Sequence, residues 1–293
     1  LGSCYLKAGD KKKAQMAFSA AAGMNYDPDV QEEALFNFAK LAYENSYAPF
    51  GEGIDALHNY IRTYPNSEHV SEAYDYLISA YMRLKNYQAA LNSLEKISSK
   101  DERLKEAYQK VTYFRGIEQF RNKQYSDAVS MFGKSLTYRE KNPDLHARAL
   151  YWRGEANYRA GNNDAAVADW ETFRKLPGAS SMAEYDLIDY NLGYVWYNSG
   201  EYQKALPYFM AYVNKADRRE KPDMVIDAQN RIADCYYIRA DYASAISYYD
   251  MVIGYGKTDA DYAMFQKGFA QGLSSDNQAK ITTLTGLINK FPK

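Results

Sequence analysis

Residues 192–209, LGYVWYNSGEYQKALPYF, hold the pattern that decides the fold. Gly193 is followed sixteen positions later by Phe209, and Ala205 stands four residues before that ring. The arrangement returns in LGSCYLKAGDKKKAQMAF (1–18), LISAYMRLKNYQAALNSL (77–94), RGEANYRAGNNDAAVADW (153–170) and IADCYYIRADYASAISYY (232–249). A small residue leads at Gly2, Gly116, Gly154, Gly193 and Gly268, with Ala39, Ile78 and Ala233 in the remaining slots. Its large partner sixteen positions on is Phe18, Leu94, Phe132, Trp170, Phe209, Tyr249 or Leu284, and a two-residue insertion delays Leu57. The units recur every 35 to 40 residues, an interval that marks stacked structural repeats.

Each unit reads as two helices. Apolar residues step by three and four, as in Leu77, Tyr81 and Leu84, then Ala90, Leu91, Leu94 and Ile97. Gly9, Gly161 and Gly200 mark turns between the helices, and TYPNS (63–67), KLPG (175–178) and KFPK (290–293) stop the second one, because proline cannot continue a helix. Ala14, Ala90, Ala128, Ala166, Ala205 and Ala245 let the paired helices approach closely; Gly53 and Lys280 depart from that column. The apolar column four after the lead residue (Leu6, Tyr43, Met82, Phe120, Tyr158, Tyr197, Tyr237) is expected to be core.

This succession of small, aromatic, alanine, bulky apolar and proline positions resembles the tetratricopeptide repeat family, over essentially the whole chain. The resemblance implies an all-α, right-handed superhelix of about eight helix pairs. It forms a single solenoid domain over 1–293, with repeats near 1–30, 31–67, 68–105, 106–143, 144–180, 181–220, 221–258 and 259–293. The phrases YPNSEHVSEAYDYLISAYMRLKNYQAAL (64–91) and ALYWRGEANYRAGNNDAAVADW (149–170) are similar to the TolA-binding type found in bacterial envelopes, which implies a periplasmic setting, with the cytoplasm as the alternative. Leu1 enters in mid-helix and Lys293 follows directly on a second helix, so a fragment of a longer protein is expected.

Charge and motif content narrow the function. The 36 Lys and Arg nearly cancel the 37 Asp and Glu, leaving no net basic field to hold nucleic acid. A mean hydropathy of −0.60 suits an elongated fold with a large surface. Cys4 and Cys235 stand at equivalent places six repeats apart, too far to pair, and are expected to be small buried hydrophobes. GYGKT (254–258) lacks the earlier glycine and the leading strand of a phosphate-binding loop. His58, His69 and His146 fall in different repeats without ligand spacing, so no metal and no cofactor is expected. With no nucleophile or zinc-peptidase motif present, the chain reads as a scaffold rather than an enzyme.

What remains is a surface. In tetratricopeptide folds the first helix of each pair lines a groove, and residues four apart share that face. The positions three before and one after the lead residue supply Tyr113, Tyr151, Tyr190, Tyr194, Asn230 and Asp234, and the position five after supplies Arg83, Arg121 and Arg159. Tyrosine and arginine carry much of the energy at protein interfaces, so these residues are the expected site for a protein or peptide partner. The carboxylate clamp of the chaperone-binding members is not reproduced, since its positions read Phe36 and Lys40, Tyr113 and Ile117, or Tyr151 and Glu155. The rival readings are a self-associating array module and the regulatory domain of a larger enzyme or signalling protein.

Overall fold

The computed structural model describes residues 1–45, 51–216, 222–256 and 259–292, and every regular element in them is helical. The α-helices are α1 (Gly2–Lys7), α2 (Lys11–Ala22), α3 (Pro28–Asn45), α4 (Glu52–Thr63), α5 (Val70–Arg83), α6 (Tyr87–Glu95), α7 (Glu102–Arg121), α8 (Tyr125–Ser135) and α9 (Pro143–Arg159), followed by α10 (Asn163–Arg174), α11 (Leu187–Asn198), α12 (Tyr202–Lys215), α13 (Pro222–Ile238), α14 (Tyr242–Tyr255), α15 (Ala260–Leu273) and α16 (Asn277–Lys290). The chain divides into two compact units, Leu1–Ala160 with α1 to α9 and Gly161–Lys293 with α10 to α16. Within each unit every helix packs on the next, and in the first the leading helices α3, α5, α7 and α9 also touch in sequence. The fold is an all-α solenoid of helix pairs.

Side-chain size explains the nesting. A Cβ built on Gly2 would lie 2.8 Å from the Phe18 ring, one on Gly116 2.8 Å from Phe132, and one on Gly193 2.8 Å from Phe209. Gly268 stands in the same relation to Leu284, at 2.6 Å. The bulky residue therefore occupies the space that the lead residue leaves empty, and Phe132 and Phe209 are completely buried by it. Where the lead is Ala39, Ile78 or Ala233, the partners Leu57, Leu94 and Tyr249 are equally buried in the corresponding clusters.

Two departures from the alanine column prove to be size exchanges. Gly53 is buried, and a Cβ there would fall 2.9 Å from the Tyr43 Cα, so the paired backbones come too close even for alanine. At the last pair the sizes are reversed. Gly272 takes the place that Tyr197 or Tyr237 fills elsewhere, and the Lys280 stem lies over it, with Cδ 2.8 Å from the position of a Cβ and Nζ 5.4 Å from the Phe269 ring centre. The long aliphatic part of a lysine can line apolar surface while its ammonium stays in solvent.

The turns inside the pairs share one backbone shape. A residue seven after the lead has positive φ at Gly9, Gly161 and Gly200, and equally at Lys85, Lys123, Ala240 and Ser275. The next amide then reaches back to a carbonyl five residues earlier, as in Asn86 to Tyr81, Gln124 to Gln119 and Asp241 to Tyr236, all at 2.9–3.0 Å. Asp10, Asn86, Asp241 and Asp276 cap the second helices that follow. Sequence reading finds only the glycines here, because the left-handed bend is imposed by the pair and tolerated by other residues.

Cys235 is fully buried against α12, and its thiol pKa is pushed up to about 12 by burial. Cys4 does not behave as expected: it is exposed. Its counterparts Leu41 and Cys235 pack on the second helices before them, α2 and α12. The insertion before Leu57 falls at 46–50, and Lys257, Thr258 and Lys293 also lie outside the described residues. Replacing Gly193 with Ala should destabilise the chain by about 1–3 kcal/mol in urea denaturation, because the Phe209 ring has no free space to move into.

Candidate functional site

The expected site residues separate into three groups. Tyr113 and Tyr151 in the first unit are core residues, 7% and 4% exposed. The Tyr113 ring lies 5.9 Å from Phe132 and 5.2 Å from Phe114, and the Tyr151 ring meets Trp152 edge-on at 5.5 Å. Both are buried, so they do not form an open aromatic wall. Arg83, Arg121 and Arg159, at the end of α5, α7 and α9, are exposed. The Arg83 guanidinium sits 5.2 Å from the Tyr43 ring centre, and Arg159 Nε is 3.8 Å from Glu155.

In the second unit Tyr190, Tyr194 and Asp234 belong to a buried polar network, and Asn230 lies beside it. Tyr190 and Tyr194 both donate to Asp227 Oδ2, at 2.8 and 2.5 Å. Tyr197 donates to Asp234 Oδ2 at 2.9 Å, while Tyr249 and Tyr262 donate to Oδ1 at 2.6 and 2.9 Å. Arg231 completes the group: Nη1 donates to Asp234 Oδ2 at 2.6 Å and to the Tyr197 oxygen at 3.0 Å, and Nε lies 3.6 Å from Asp227. Its guanidinium also stands 5.3 Å from the ring centres of Tyr197 and Tyr262. Asn230, one residue away, is fully buried with neither amide atom bonded to a protein group.

The electrostatics follow from burial. It works against the Arg231 charge, yet Asp234, the tyrosine oxygens and Asp227 raise its pKa above the ordinary arginine value. Burial and then the bond to Asp227 raise Tyr194; burial and then the Asp234 charge raise Tyr197 and Tyr249. Asp234 accepts four hydrogen bonds, which fills the lone-pair sites of a carboxylate. All of its acceptor sites are thus taken by the chain itself. The cluster joins α11, α13, α14 and α15 and is structural.

Column position named Asp234 and Asn230 but missed Asp227, Arg231, Tyr249 and Tyr262. The available signal was the spacing of Asp227, Arg231 and Asp234 at i, i+4 and i+7, which puts opposite charges on one stripe of a helix whose Ala228, Ile232 and Cys235 are apolar. Among the described residues no group of three or more His, Cys, Asp or Glu could hold a metal ion, and no helix is long and apolar enough to cross a membrane. His69 stacks on Phe36 at 4.5 Å, and His58 Nε2 lies 2.8 Å from the Tyr81 hydroxyl.

Comparison with known proteins bears on the repeat fold. A family model described as tetratricopeptide repeat matches residues 115–180. Over that stretch the chain is similar to the tetratricopeptide repeat family. The solved structures extend the likeness of fold to the whole chain. A STAND ATPase with a tetratricopeptide repeat sensor from Pyrococcus horikoshii aligns with 97% of this chain and 44% of its own, at 17% identity and a TM-score of 0.56. The apo form of RapI aligns with 100% and 76%, at 13% identity and a TM-score of 0.55. MamA from Desulfovibrio magneticus RS-1 aligns with 62% and 94%, at 16% identity and a TM-score of 0.51. At such identities the likeness is one of fold. No curated protein sequence matches the chain.

Two measurements test the network. Arg231→Met leaves the buried Asp234 charge uncompensated and should cost about 3–5 kcal/mol in chemical denaturation. In an alkaline titration followed by tyrosinate absorbance, Tyr190, Tyr194, Tyr197 and Tyr249 have folded pKa values above the unfolded value of about 10. The stability they confer is therefore complete below that pH and is lost as pH rises beyond it, so their ionisation should coincide with unfolding.

Proposed function

We propose that this chain is a non-catalytic tetratricopeptide scaffold that binds a protein or peptide partner, and that in the first unit the partner is acidic. The observation that carries the reading is the row of exposed guanidiniums at Arg83, Arg121 and Arg159, exactly repeated at intervals of 38 residues on α5, α7 and α9. None is held in a close ion pair of the kind that fixes Arg231: Arg83 lies over a ring, and the Arg159 contact with Glu155 is 3.8 Å long. Such a row offers forked donors to carboxylates, with electrostatics setting encounter rate and choice of partner more than raw affinity. The tetratricopeptide match over 115–180 includes Arg121 and Arg159 and supports an interaction role. A bacterial envelope setting belongs to the same proposal and rests on the phrases at 64–91 and 149–170.

The test is capture of a glutamate-rich peptide by the full chain, with the three arginines changed together to alanine. The variant should melt as the parent does, since all three side chains are exposed. Its affinity at low salt should fall by about tenfold or more, a sum of three weak surface contributions. Binding by the parent should weaken as salt rises. Equal affinity for parent and variant, or no binding by the parent, would overturn the reading.

A further inference from the structure

The second helices α4, α6 and α8 follow one another in the first unit, and the residues that meet between them change chemistry from one junction to the next. Between α6 and α8, Lys134 Nζ donates to Glu95 at 2.6 Å. Glu95 stands seventeen positions after its lead residue Ile78, and Lys134 eighteen after Gly116. One junction earlier, with the two-residue insertion before Leu57 allowed for, the same two places hold His58 and Lys96. Two bases thus stand where the next junction has an acid and a base. Burial and then the Lys96 charge hold the His58 pKa below the ordinary imidazole value, against the opposite pull of Asp55.

His58 and Lys96 line a cleft of about 540 Å³ between α4 and α6, with Tyr74 of α5 also in its wall. Asp55, His58, Asn59 and Arg62 face it from α4, at i, i+3, i+4 and i+7 of one stripe. Arg62 Nη2 donates to Asn59 Oδ1 at 2.9 Å, and among the described residues neither Arg62 nor Lys96 is held in an ion pair. Tyr74 is half-buried, and its hydroxyl has no protein partner among the described residues. His58 Nε2 lies 2.8 Å from the Tyr81 hydroxyl. Arg62 stands in the last turn of α4 and Lys96 caps α6, yet Lys134, in the last turn of α8, takes an anion from the same kind of place.

We propose that the cleft between α4 and α6 binds a phosphate monoester group, with Arg62 and Lys96 as its charged donors and the Tyr74 hydroxyl as a neutral one. A guanidinium fork, an ammonium and a hydroxyl suit a group with three strong acceptor oxygens. The charge also matches. Asp55, the one carboxylate among the described lining residues, offsets one of three bases; a phosphate carrying about −1.5 to −2 answers the two that remain once the imidazole is protonated. The groups around that imidazole are Asp55 and Arg62 on its own helix, Tyr81 on α5 and Lys96 at the end of α6. A phosphorylated side chain of a partner and a free phosphate ester present the same chemistry to this cleft. The site is independent of the arginine row, none of whose members lines it.

The probes are inorganic phosphate and a phosphoserine peptide with uncharged flanks, each added to the full chain at constant ionic strength while the ring resonances of its three histidines are followed by NMR. Saturable perturbation of His58 is expected, with His146 of α9 unchanged and the His58 titration midpoint raised in the bound state. Response to the peptide alone assigns the phosphate to a partner's side chain, and response to inorganic phosphate admits a free ester. Arg62→Ala together with Lys96→Ala should weaken binding at least about tenfold, and Asp55→Asn should strengthen it. All three side chains are exposed, and unchanged circular dichroism and melting confirm that the variants fold. No response to either probe, or a response indifferent to the double substitution, overturns the proposal. An equal response to the unphosphorylated peptide or to the glutamate-rich one also overturns it. Changing Arg83, Arg121 and Arg159 leaves the His58 response in place, so the two readings fail separately.

Discussion

The structure depends on steric complementarity between a missing side chain and a ring. When the lead position is glycine, the volume that a methyl group would fill is taken by the phenylalanine or leucine sixteen residues later, at separations too short for any added carbon. Both partners come from one hairpin, so the constraint is local in sequence and each pair can form its own core. Stacking follows from what the closed pair leaves outside: an apolar stripe on each second helix and a matching stripe on the next first helix. A solenoid of this kind is assembled from nearest-neighbour contacts and needs no long-range pairing.

The fold was legible in the sequence for that reason. Close packing permits few residue types at the lead, alanine and bulky positions, and it fixes the intervals between them. Even the exceptions obey the underlying volume rule, as Gly53 against Tyr43 and Lys280 over Gly272 show. The turns were half legible. Glycine announces a left-handed backbone, but Lys85, Lys123, Ala240 and Ser275 adopt it under the constraint of the hairpin, and nothing in their chemistry signals it.

The site was far less legible. Column position identifies which residues occupy equivalent places, but exposure depends on what the neighbouring hairpin brings opposite them. Tyr113 and Tyr151 meet rings of their own unit and disappear into the core, whereas Tyr190 and Tyr194 meet Asp227 from the following pair. A tyrosine is equally suited to a binding surface and to a buried hydrogen bond, because it combines a large apolar ring with one donor. The arginines were easier to place. They stand at the last position of a first helix or beside it, where a long charged chain has solvent to reach.

The four-fold saturation of Asp234 bears on how the second unit comes apart. In an ordinary repeat array the terminal hairpin can fray while its neighbours stay folded, because only one interface is lost. Here a single carboxylate takes donors from α11, α13, α14 and α15, so separating the α15–α16 pair from α13–α14 removes one of its donors, and each further loss leaves more of the charge unpaired. The polar knot thereby ties three consecutive hairpins, α11–α12, α13–α14 and α15–α16, to one buried charge, a link that the apolar contacts between neighbouring pairs do not make.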